Sequence, residues 1–137
     1  MVLLGLPGCS GFWQSSGPAP GTIIFGTGIH RVSAHQIDIV GERTTFHLRQ
    51  SVAWVAYLRH PAGATTLTLS ILSPSNSSPV ITPQTITRVD PKWTQLANPG
   101  EPERGLRVLG VPLPGRYIFR YSRGSVVLAE GTVNLKG

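Results

Sequence analysis

Eight residues in the middle of the chain, Thr65 to Leu72, read TTLTLSIL. Side chains that alternate apolar and polar at every step lie on opposite faces of an extended strand, and this period of two does not suit a helix. Leu67, Leu69 and Ile71 therefore face a core, while Thr66, Thr68 and Ser70 face outward. The same period governs the end of the chain. In PGRYIFRYSRGSVVLAEGTVNL, a strand over Arg116 to Ser122 meets its return over Ser125 to Leu135 through a turn at Arg123 and Gly124. Tyr117, Phe119 and Tyr121 share the inward face of the first strand, and Arg116, Ile118 and Arg120 the outward face. Val127, Ala129, Gly131, Val133 and Leu135 form one face of the second, where the small Ala129 and Gly131 leave room for a large neighbour such as Trp54.

Further strands precede these. TIIFGTGI (Thr22 to Ile29) and HQIDIV (His35 to Val40) are short strand candidates. TTFHLRQSVAWVAYLR (Thr44 to Arg59) alternates at Phe46 and Leu48, then becomes apolar on both faces from Val52 to Leu58. A strand apolar on both sides is central in its sheet, here with Trp54 on one face and Tyr57 on the other. Pro83 within VITPQTIT (Val80 to Thr87) confines that strand to an edge. Five prolines between Asp90 and Pro114 predict a long loop, with extended pieces around Trp93 to Ala97 and Leu106 to Leu109. Long loops inside small domains are often functional.

A chain of 137 residues is one ordinary domain, and a chain of this size buries roughly two thirds of its unfolded surface. Twelve basic residues, ten of them arginine, stand against six acidic ones for a net charge of +6. The excess is spread along the chain, so no basic tail marks a nucleic-acid binder. No apolar run approaches the about 18 residues that a membrane helix needs. With no amphipathic helix and about seven short strands, the pattern predicts an all-β fold, an antiparallel β-sandwich. The closing hairpin, introduced by Pro114, Gly115 and Tyr117, resembles that of immunoglobulin-like and fibronectin-III-like domains. Trp54 in its two-sided strand is similar to the core tryptophan of that architecture. The cysteine pair of antibody domains is absent.

One cysteine cannot form an internal disulfide. Cys9 follows Leu6, Pro7 and Gly8, a stretch that resembles a bacterial lipobox; Leu6 and Gly8 match the pattern, and Pro7 departs from it. The Ser/Gly/Pro-rich segment that follows suits a flexible tether. The run Val2 to Leu6 is shorter than the about 7 to 15 apolar residues of a signal peptide, so the lipobox reading requires a start codon upstream of Met1. The organisation expected is a signal remnant over 1–9, a tether over 10–21 and an immunoglobulin-like β-sandwich over 22–137. The resemblance implies a small bacterial surface lipoprotein, extracytoplasmic and anchored in the membrane through lipid on Cys9.

Candidate chemistry is sparse. His30, His35, His47 and His60 are scattered, and no carboxylate or thiol completes a metal site around them. Glu101 and Glu103, the one near carboxylate pair, sit beside Arg104 and Arg107, where solvated ion pairs are expected. No GxSxG elbow and no phosphate-binding glycine pattern occurs. The expectation is a non-enzyme without cofactor or metal: a binding or interaction module. Its ligand surface is either the Pro-rich loop, with Trp93, Arg104 and Arg107, or the basic outer face of Arg116 and Arg120. Partners of matching chemistry are an anionic envelope polymer or another envelope protein, with each cation near a charged surface contributing about 1 kcal/mol. The alternative is a cytoplasmic nucleic-acid-binding β-barrel. Against it, strand alternation puts the aromatic rings and the arginines of Arg116 to Tyr121 on opposite faces, whereas a stacking platform needs them together.

Overall fold

Strand-forming segments here are short and separated by glycine, proline and serine, so each buries its apolar face only by pairing laterally. A computed structural model of the chain describes residues 18–33, 36–48, 50–74, 78–98 and 113–137. These contain ten strands and no helix: β1 (Thr22–Gly26), β2 (Gly28–Ser33), β3 (Gln36–Val40), β4 (Thr45–His47), β5 (Ala53–Tyr57), β6 (Leu67–Leu72), β7 (Gln84–Ile86), β8 (Gln95–Asn98), β9 (Gly115–Arg123) and β10 (Val126–Lys136). The all-β expectation holds. Two long runs are each divided in the structure: Thr22 to Ile29 breaks at Thr27, and Thr44 to Arg59 breaks where Gln50 N–H turns back to the His47 carbonyl (2.9 Å).

Eight strands form one continuous sheet in the order β7-β6-β9-β10-β1-β5-β8, with β4 also paired to β10; β2 and β3 form a separate hairpin. An antiparallel sandwich of about seven strands was expected; the described residues hold ten strands, and two of their pairings are parallel. β10 is long enough to use its far edge twice, in parallel each time: Thr22 of β1 stands opposite Glu130, and Thr45 to His47 of β4 opposite Asn134 to Lys136. The β2–β3 hairpin is the excursion between those two contacts.

The sheet curls into a half-barrel. In a flat sheet, three inter-strand steps would hold β9 and β5 about 14 Å apart. Instead the Phe119 ring of β9 meets Trp54 of β5 at 5.1 Å and Phe25 of β1 at 5.3 Å, both edge to face. Such pairs add about 1 kcal/mol each beyond the area they bury. Around them lie Phe46, Leu69, Ile71, Leu128 and Val133, all essentially buried, which places the core inside the curl.

Alternation survives along β6 and β9, where Leu67, Leu69, Ile71, Tyr117, Phe119 and Tyr121 are buried as their period requires. In β10 it is interrupted. Tyr121 pairs with Ala129 but Ser122 pairs with Val127, so Leu128 is an extra residue in a bulge, and Leu128 and Ala129 are both buried. The single inward face expected from Val127 to Leu135 is corrected accordingly. Gly131 makes room for β1, not for Trp54: a Cβ there would meet the Ile23 carbonyl oxygen at 2.5 Å and the Phe25 ring at 3.0 Å. The turn occupies Gly124 and Ser125, one residue later than expected, with Gly124 at φ 58° as the first residue of a two-residue hairpin loop requires.

β5 is buried on both faces, as its sequence predicts. Trp54 and Ala56 belong to the main core, whereas Ala53 and Val55 lie on the other side with Ile37 of the hairpin, outside that cluster. β7, next to Pro83, ends the sheet order. Gly21, the last residue of the expected tether, is already held, donating to the Tyr57 carbonyl (2.6 Å) and accepting from Glu130 N–H (3.0 Å).

Candidate functional site at the open side of the half-barrel

Among the described residues the half-barrel has an open side, which lies between the two end strands, β7 and β8. The second residue of the connection between them, Arg88, is in the left-handed region at φ 59°, uncommon for a residue with a side chain. Val89 then returns to the core and donates to the Thr65 carbonyl (3.0 Å). Asp90, Pro91, Lys92 and Trp93 form a tight turn: Trp93 N–H donates to the Asp90 carbonyl (3.0 Å), and the Asp90 carboxylate accepts from Lys92 N–H (2.9 Å). Aspartate first and proline second suit such a turn, since Pro presets φ and Asp caps the free N–H. The turn projects Trp93 against the core, half-buried, and β8 starts two residues later, within the extended piece expected over Trp93 to Ala97.

Trp93 lines a cavity of about 170 Å³. Ile86 and Thr87 close it from β7 and the residue after it, Val89 from the connection, Leu96 and Ala97 from β8, and Ile37 with Arg31 from the hairpin. The hairpin is fastened by side chains. Gln95 Oε1 accepts from Ile37 N–H (2.7 Å) and the Tyr57 hydroxyl donates to the Ile37 carbonyl (2.9 Å). Burial, with Asp38 and then Glu42 adding negative charge nearby, pushes the Tyr57 hydroxyl's pKa upward and keeps it a donor.

Tyr121 completes the lining from β9. Its hydroxyl accepts from Trp54 Nε1 (3.0 Å), and burial pushes its pKa up to about 12, the Trp54 bond opposing the shift. The phenol is therefore protonated at neutral pH. Among the described residues no acceptor takes its O–H. Arg31, exposed at the rim, has no ion-pair partner among the described residues. The described lining offers neither carboxylate nor imidazole nor thiol.

The other candidate surface is differently disposed. Arg116 is exposed, but Arg120 is paired with Glu130 across the β9–β10 ladder. Arg123 donates to the Ala62 carbonyl (2.8 Å). Two of the three guanidinium groups of β9 are thus already engaged. Cys9, Arg104, Arg107, Glu101, Glu103 and His35 lie outside the described residues, and no cluster of three metal-ligating side chains occurs among those described. Arg31, Gln95 and Tyr121 were not marked as lining residues by the sequence. Tyr121 reads only as core, and nothing local tells Arg31 from a solvated strand arginine.

No protein-family model matches the chain, and no curated protein matches it. Among solved structures it is similar to an immunoglobulin-like protein from Pseudomonas aeruginosa, at 18% identity over 88% of this chain and 94% of that chain, with a TM-score of 0.49. At that identity and score, the fold rests on the strand pairings themselves.

Proposed function

We propose that the chain is the immunoglobulin-like domain of a small bacterial surface lipoprotein, a non-catalytic binding module that takes its ligand in the Trp93 cleft. The single observation that carries the binding role is that cleft: a cavity of about 170 Å³ on the open side of the half-barrel, where apolar Trp93, Leu96, Ile86 and Val89 meet the donors of Tyr121 and Arg31, with no carboxylate, imidazole or thiol in the described lining. The immunoglobulin-like reading is supported by the pairings β1-β5-β8 and β7-β6-β9-β10, which meet at the single pair Glu130 and Thr22. It is supported also by Tyr117, whose hydroxyl bonds back to the Leu113 carbonyl ahead of the penultimate strand, the contact of a tyrosine corner. The buried rings of Tyr117, Phe119 and Tyr121 offer no stacking platform, which disfavours the nucleic-acid alternative.

Lipid on Cys9 would hold the module at the membrane through the Ser/Gly/Pro-rich segment, with an anionic envelope polymer or another envelope protein within reach of Arg116. Mass spectrometry of the protein made in a bacterial host, with upstream codons restored, tests the anchor. The expected product starts at an acylated Cys9, with residues 1–8 removed; an unmodified chain beginning at Met1 overturns the anchor.

A further inference from the structure

The hydrogen-bonding inventory of the cleft is unbalanced. Its polar lining includes Tyr121, whose O–H has no acceptor among the described residues, the Arg31 guanidinium at the rim, without an ion-pair partner among those residues, and Thr87, whose hydroxyl can donate as well as accept. Gln95 Oε1, the side-chain amide acceptor of the lining, is already taken by Ile37 N–H. A buried hydroxyl without an acceptor costs free energy that a ligand oxygen would recover, and the arginine favours that oxygen carrying negative charge. Ile86, Val89, Trp93 and Leu96 supply apolar wall beside these groups. A cavity of about 150 Å³ accepts a benzene ring, so this one holds a body of that size.

We infer that the cleft binds a small organic carboxylate, its apolar body against Trp93, Leu96, Ile86 and Val89 and its carboxylate oxygens answering Tyr121 and Arg31. This rests on the reading of the Trp93 cleft as the ligand surface. Benzoate is the probe, with toluene as a body of similar width that lacks the acceptor. In two-dimensional NMR titrations of the whole chain, benzoate shifts the Trp93 indole and the Gln95 to Ala97 amides, with a Kd on the order of millimolar, and toluene binds far more weakly. Tyr121→Phe weakens benzoate about tenfold or more, as expected for a lost bond to a charged acceptor. Because that change also strips Trp54 of its acceptor, the exposed Arg31→Gln provides a second variant, weakening benzoate about threefold.

Equal binding of benzoate and toluene, indifferent to both substitutions, overturns the carboxylate while leaving the cleft as a ligand surface. Benzoate shifts centred on Arg116 and Arg120 overturn both. Absence of any shift at about 20 mM probe overturns the carboxylate inference.

Discussion

The contact on which the core turns is the one between Trp54 and Tyr121, 67 positions apart in sequence, where an indole N–H is satisfied by a phenol oxygen. Tyr121→Phe leaves that buried N–H unpaired and is expected to cost about 1–3 kcal/mol, read as a lower urea midpoint at unchanged slope. Alkali tests the same residue. The native phenol titrates near 12 and the unfolded one near 10.0, so the folded state holds the proton more tightly. Its stability contribution is complete below pH 10 and is lost as the pH rises from there through about 12, a total of about 3 kcal/mol. Between pH 9 and pH 11.5 the wild type should therefore lose more stability than Tyr121→Phe does. Gly131→Ala drives a methyl into the Ile23 carbonyl and should destabilise by about 1–3 kcal/mol, because β1 has to move away from β10. None of these partnerships is visible locally. That Tyr121 points inward follows from alternation, but what its oxygen meets depends on how far the sheet curls.

At the scale of elements, the β2–β3 hairpin shows why a two-sided apolar strand need not lie deep in a sheet. β5 pairs with β1 and β8, and its outer face is covered by Ile37, held there by Gln95 and Tyr57. Ile37→Ala removes that cover and should cost about 2–5 kcal/mol in equilibrium unfolding, comparable to a main-core truncation although Ile37 lies outside the main cluster. β6, β9 and the edge position of β7 were legible from alternation and from Pro83. The bulge at Leu128 was not, because the run Val126 to Ala129 is apolar at every position and carries no phase.

For the whole molecule, the closed and open sides of the curl should differ in dynamics. Native-state hydrogen exchange is expected to be slowest in β6, β9 and β5, which are flanked on both edges, and fastest in the three-residue end strand β7 and in the β2–β3 hairpin, a two-stranded unit outside the main sheet. Uniform protection across all of these would contradict the half-barrel. Period-two alternation, turn residues and the absence of a helical stripe determined by themselves that this chain pairs strands and which side chains of β6 and β9 go inside, because a strand's two faces are set by the covalent geometry of successive residues. Only the tertiary structure decided that β10 would serve β1 and β4 along one edge, that the sheet would curl until Phe119 met Trp54, and that Trp93, Arg31 and Tyr121 would line one cavity. Those juxtapositions join residues tens of positions apart, and the core packing that selects among possible pairings has no signature in any local window.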